Sequence, residues 1–160
     1  MKSKQPDFTR QKGFTLAELL IVVAIVAVLV AISMPIFASR LEKSRESTDM
    51  ANMRSAKATV AVALIEEKFE SGSTYYYDAE RGTLIQASDS NRRSMQAYGK
   101  GTTVIGEETN TQDGYEPGVS YDSAVILVSF RDDRAYLEWV DKGSGNRLFS
   151  TDAITVGEIN

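Results

Sequence analysis

One uninterrupted apolar block dominates the chain. From Phe14 to Ala38 the sequence reads FTLAELLIVVAIVAVLVAISMPIFA, 25 residues whose only charge is Glu18, bounded by Lys12 and Arg40. Strands rarely exceed about ten residues, so a run of this length is helical, and at 1.5 Å per residue it covers about 37 Å, enough to cross a hydrocarbon core of about 30 Å. Beyond it there is no proline or glycine from Ile36 to Glu70, and the helical signal continues to about Phe69. Arg40 to Asp49 is mostly charged or hydroxylic, after which Met50, Met53, Ala56, Val60, Ala63 and Leu64 recur at helical spacing, the stripe of a half-buried helix. The pattern predicts one helix of more than fifty residues that begins as a membrane span and ends as the spine of a domain.

Ser71-Gly72-Ser73 is the stop signal for that helix. Thr74 to Tyr77 and Thr83 to Ala87 then read as two short strands around a turn ending at Gly82, with Tyr75 and Tyr77 on one face and Tyr76 on the other. Ser90 to Tyr98 reads as a short helix, and Gly99 to Gly118 as a long surface loop without periodicity. Ala124 to Phe130 is apolar on both faces, as a central strand is, and Arg134 to Val140 alternates Ala135, Leu137 and Trp139 against Tyr136 and Glu138. Arg131-Asp132-Asp133 joins them, and Leu148-Phe149 with Ala153 to Val156 supplies a further strand. The expected fold is α+β, a long N-terminal helix packed across one face of a small antiparallel sheet.

Composition narrows the chemistry. The chain has 160 residues and 17.6 kDa, room for one domain plus appendages, and it contains no cysteine and no histidine. Disulfides, thiolate or imidazole metal sites and every Cys- or His-dependent mechanism are thereby excluded. Charge is split along the sequence: the first 13 residues hold four bases against Asp7, a net +3, and the remainder holds 14 basic and 21 acidic residues, a net −7. Positive charge before the span places residues 1–13 in the cytoplasm and everything after Arg40 outside.

Three readings compete for the span: a cleaved secretory signal, a plain anchor, and an interaction surface. Ala31-Ile32-Ser33 is a weak match to a signal cleavage site, but the apolar core is long for a signal and carries an acid. A plain anchor gives no reason for Glu18, since a carboxylate among lipid tails costs about 2.5 kcal/mol or more near mid-span. Glu18 calls for a cation.

Lys12-Gly13-Phe14-Thr15-Leu16-Ala17-Glu18, followed at once by the apolar run, resembles the prepilin signature of type IV pilins and related pseudopilins. The resemblance covers about the first 60 residues. It implies that a membrane aspartyl peptidase cuts after Gly13 and N-methylates Phe14. Glu18 then stands fifth in the mature chain and Pro35 twenty-second, the places where the family has a glutamate and often a proline; Ala17 departs from the usual Ile or Val. Cleavage creates an α-amino group with a reference pKa near 8 on a segment otherwise without a cation. The family reading is that Glu18 of one subunit meets the Phe14 amine of its neighbour. A buried charge left unpaired costs about 3–5 kcal/mol, so the pair sets the stagger of the helices more than it adds stability. Gly13 lets a peptidase approach the backbone closely, so Gly13→Ala is expected to spare insertion and block processing. Pro35 deletes the hydrogen bond to the Ala31 carbonyl; it is either an ordinary kink or a weak point that unwinds on assembly.

The implied protein is no enzyme and needs no cofactor. It is the structural precursor of a pilus-like surface filament, with a leader at 1–13, a membrane or filament-core helix at 14–38 and an extracytoplasmic domain at 39–160. Its partners would be further copies of itself, the prepilin peptidase, an ATP-driven assembly platform and, before assembly, membrane lipid. Lack of cysteine removes the disulfide-closed loop of many Gram-negative pilins and points to a Gram-positive source. Adhesion, motility, DNA uptake and export all stay open, as does a pseudopilin of a secretion or competence system. From another class, a membrane-anchored binding domain with its ligand at the acidic loop remains an alternative.

Other candidate motifs carry less. Glu107, Glu108, Asp113, Glu116 and Asp122 lack the Asp-x-Asp-x-Asp-Gly pattern of a calcium loop and read as a solvated acidic stretch. Met50 and Met53 read as core, and the tyrosine triplet as ordinary strand alternation. Arg92-Arg93 is the one notable basic pair, too little for nucleic acid on an acidic chain, so no direct nucleic-acid partner is expected.

Overall fold

A computed structural model describes residues 13–102, 119–132, 134–150 and 154–155. The leader before Gly13, most of the Gly99 to Gly118 loop with Glu107, Glu108, Asp113 and Glu116, and the ends of the Ala153 to Val156 strand lie outside the described residues. The chain divides into two compact units, Met1–Ala38 and Ser39–Asn160.

Helix α1 runs without a break over Leu16–Ile65, straight through Pro35. In the first unit its side chains are apolar all round and exposed, the pattern of a helix whose surroundings are lipid or other helices. Among the described residues it is the helix long and apolar enough to cross a membrane.

In the second unit Met53, Ala56, Val60 and Ala63 are buried, one stripe as the spacing predicts. The helix ends earlier than the glycine signal implied, at Ile65 rather than Phe69. Glu67 takes a left-handed conformation (φ 49°), the Lys68 amide donates to the Ala63 carbonyl and the Glu67 amide to that of Leu64. This is the paired-bond helix stop usually built on glycine. Aromatic packing is the reason it forms at a glutamate, because the early stop turns Phe69 onto Phe130 (ring centroids 4.5 Å apart, stacked) and Tyr75 (4.5 Å, edge-on).

The sheet comprises β1 (Thr74–Asp78), β2 (Thr83–Gln86), β3 (Ala124–Arg131), β4 (Arg134–Asp141), β5 (Arg147–Ser150) and β6 (Ile154–Thr155). Its order is β2-β1-β3-β4-β5, all antiparallel, with β6 also on β4, opposite Arg134 and Ala135. The face under α1 gathers Tyr77, Ala124, Ile126, Val128, Phe130, Ala135, Leu137 and Trp139 with Met53, Ala56 and Val60 into one core. The opposite face holds Tyr76, Val125 and Val140 with Met95. The tyrosine alternation and the doubly apolar β3 are therefore as expected.

Helix α2 occupies Asp89–Ser94, shorter than the Ser90 to Tyr98 expectation. Ser88 caps it by accepting the Asn91 amide at 3.1 Å, and Met95 turns extended, dropping its side chain into the second core. Tyr98, next along, is pinned on both sides: its hydroxyl accepts the Ile126 amide (2.6 Å) and donates to the Tyr77 carbonyl (2.9 Å).

The polar stretch Arg40 to Asp49 is exposed or partly exposed except for three carboxylates. Glu42, Glu46 and Asp49 recur on one helix face and are 2%, 7% and 0% exposed. Asp49 accepts the amides of Lys100 (2.8 and 3.1 Å) and Gly101 (2.7 Å), and Glu42 accepts that of Thr102. The segment that Asp49 and Glu42 hold lies fifty residues away and has donors with no helix or strand to pair with.

Candidate functional site

Gly13 and Phe14 precede α1 in open space. A Cβ placed on Gly13 would meet nothing within 4 Å, and Phe14 is 92% exposed. Both residues are exposed, and among the described residues no packing demands the glycine.

Thr15 opens the helix. Its hydroxyl accepts the Glu18 amide at 3.2 Å, while Glu18 Oε2 accepts both the Thr15 amide and the Thr15 hydroxyl at 2.8 Å. This is a reciprocal capping box, which satisfies two of the amides that every helix start leaves without partners. Thr15 was not among the residues that the sequence reading singled out, although Thr15-Leu16-Ala17-Glu18 carries the Thr-x-x-Glu spacing that announces such a cap. Glu18 therefore has a structural task inside its own chain, and both of its hydrogen bonds fall on one oxygen. The cap needs nothing before Thr15, so it is compatible with a cut after Gly13.

From Leu16 onward the site is a greasy cylinder. Leu19, Leu20, Ile21, Val22, Val23, Ile25 and Val26 are each more than half exposed. At Pro35 the helix persists without the hydrogen bond that proline cannot donate, and Ser33 folds its hydroxyl back to the Val30 carbonyl at 3.2 Å just before it. Among the described residues no group of three or more acidic side chains is placed to hold a metal ion. Asp122, from the acidic stretch, is exposed at the turn before β3.

Helix and sheet together define a class: proteins with a long helix, apolar enough in its first half to cross a membrane, and a small α+β domain. Residues 8–34 match the family model described as the prokaryotic N-terminal methylation motif. Over 58 residues the chain is 41% identical to Fimbrial protein Q of Moraxella bovis, a match covering 36% of this chain and 37% of that protein. It is 28% identical over 118 residues to the type IV major fimbrial protein FimA of Dichelobacter nodosus (74% of this chain, 66% of the relative). With a fimbrial protein of Pseudomonas aeruginosa the identity is 29% over 129 residues (77% and 81%). The matched stretch is little more than a third of the Moraxella relatives' length. No solved structure matches. The motif and these relatives make the chain similar to type IV pilins, most densely over its N-terminal segment.

Proposed function

We propose that the chain is the precursor of a structural subunit of a type IV pilus-like surface filament and catalyses nothing itself. The reading rests above all on one juxtaposition: an exposed, all-apolar helix bearing a single acid near its start, directly behind a solvent-open Gly13–Phe14 bond. Residues 1–13 form a leader removed by a prepilin peptidase, which also methylates Phe14. Residues 14–38 hold the protein in the membrane and then form the filament core, and residues 39–160 form the domain displayed outside.

Polymerisation joins helix to helix. Lipid tails are as apolar as these side chains, so the move from bilayer to filament core exchanges one apolar environment for another. What then decides register is Glu18, whose charge must find the Phe14 amine of a neighbouring copy or remain buried unpaired. Pro35 marks the place where the helix is held by one hydrogen bond fewer and can loosen as copies pack. An assembly ATPase and membrane platform supply the work. The relatives' own designations as fimbrial proteins support a pilus subunit over a secretion or competence pseudopilin.

Intact-mass and N-terminal analysis of the material sheared from the cell surface tests this. A species starting at methylated Phe14 in that fraction is the expected result. A full-length chain that stays in the membrane and is absent from the sheared material would leave the anchored binding domain as the account.

A further inference from the structure

The buried acidic face of α1 has no part in processing or polymerisation, and its arrangement is costly. Glu42, Glu46 and Asp49 occupy successive turns of one helix face, all more than nine-tenths buried. Two of them grip another part of the chain through its backbone: Asp49 takes the Lys100 and Gly101 amides and Glu42 takes that of Thr102. Glu46, between them, has no hydrogen-bond partner among the described residues and yet is 7% exposed. Buried carboxylates this close cannot all be ionised cheaply, because each charge loses its water and repels the next.

The compensating charges are few. On the helix itself Lys43 acts on Glu46, and Arg45 reaches Glu42 at 3.4 Å with its side chain 40% exposed. From the gripped segment the Lys100 ammonium acts on Asp49, opposed by Glu42. These are the charged groups that face the cluster among the described residues, and none is a close, buried cation.

We propose that this acidic face is a proton-operated latch: proton uptake by Glu46 and Asp49 below neutral pH seals the Gly99–Thr102 segment onto α1, and proton loss above it loosens the segment. The direction follows from linkage. With the segment detached, the carboxyls are in water and titrate normally; with it attached, burial and like charge favour their neutral forms, so protons and attachment favour each other. The titration of the closed state agrees. Burial pushes Asp49 up to about 6 although the Gly101 and Lys100 amides draw it down, and burial with the Glu42 charge raises Glu46. The latch sets how firmly Gly99–Thr102 is moored to the helix. The device does not depend on the filament reading.

Amide hydrogen exchange of the full chain in detergent micelles, corrected for intrinsic rates, tests it at Lys100, Gly101 and Thr102 from pH 8 to pH 5. Protection is expected to rise about tenfold or more on acidification, one pKa unit of coupling being tenfold. Central-strand amides such as those of Val128 and Leu137, which open only with the whole domain, should follow the same trend from a higher protection than the segment at every pH. Glu46→Gln removes a buried charge without touching any bond to the segment, and it is expected to raise protection at pH 8 and flatten the profile. Flat or falling protection in the wild type overturns the latch, and so does segment protection equal to that of the strands, which would make its opening global unfolding. Glu46→Gln behaving as wild type overturns it as well.

Discussion

Among the described carboxyls, Asp49 is the one held furthest above its ordinary range. Its pKa is raised to about 6 by burial, against the pull of the Gly101 and Lys100 amides, and that of Glu46 is raised by burial and by Glu42. A folded state that holds protons more tightly than the unfolded chain loses stability as pH rises from the ordinary carboxylate range to about 6, and is most stable below that window. Asp78 and Asp141 act in the opposite sense. At Asp78 burial is outweighed by hydrogen bonds from the Arg81 side chain and from the Arg81 and Glu80 amides; at Asp141 the Ser144 hydroxyl and amide dominate, and both carboxyls are lowered. Their contribution is lost as pH falls through the bottom of the carboxylate range. The urea midpoint should therefore rise from pH 7.5 to pH 5 and fall again by pH 3, and Asp49→Asn should flatten the upper limb alone. A midpoint that declines steadily from pH 7.5 would refute this. Nothing in the sequence distinguishes Asp49 from its exposed neighbours, because its burial is made by amides fifty residues away; Thr15 was legible from local spacing, since a cap is built within four residues.

The elements were readable where their cause is local and were misjudged where tertiary packing decides. β3 and β4 declare themselves by their apolar and alternating patterns, and the structure places both at the centre of the sheet. The end of α1 does not, because Glu67 adopts a left-handed conformation that accompanies the stacking of Phe69 on Phe130, a contact sixty residues away in sequence. Glu67→Gly should accordingly stabilise the domain by about 0.5–1 kcal/mol, measured as a shift in urea midpoint, since glycine takes that conformation freely. No gain would mean that the Glu67 side chain contributes something the helix stop does not need. Gly99 is the converse case. A Cβ there would lie 2.1 Å from the Tyr121 carbonyl oxygen, a backbone atom that cannot swing aside, so Gly99→Ala should cost about 1–3 kcal/mol. Tyr98→Phe belongs to the same scale: it strips the Ile126 amide of its acceptor, and an orphaned buried donor costs about 1–3 kcal/mol. Thermal unfolding of the two variants checks both values.

At the scale of the whole molecule, the filament reading gives Glu18 two separable tasks. Its carboxylate caps the helix through Thr15, and under the filament reading its charge also meets the Phe14 amine of a neighbouring copy. The tasks separate chemically. Glutamine keeps an oxygen that accepts the Thr15 amide and so preserves the cap, but it carries no charge. Alanine removes both, and aspartate keeps the charge one methylene short. If register depends on the charge, Glu18→Gln should insert and be cut after Gly13 normally, with membrane residence if anything favoured by the lost charge, and yet leave the sheared surface fraction empty. If the cap is what matters, Glu18→Gln should assemble, whereas Glu18→Ala should fail together with Thr15→Ala. Quantifying the methylated Phe14 species in membrane and sheared fractions for these variants decides between an electrostatic register and a helix that must simply begin at the right residue.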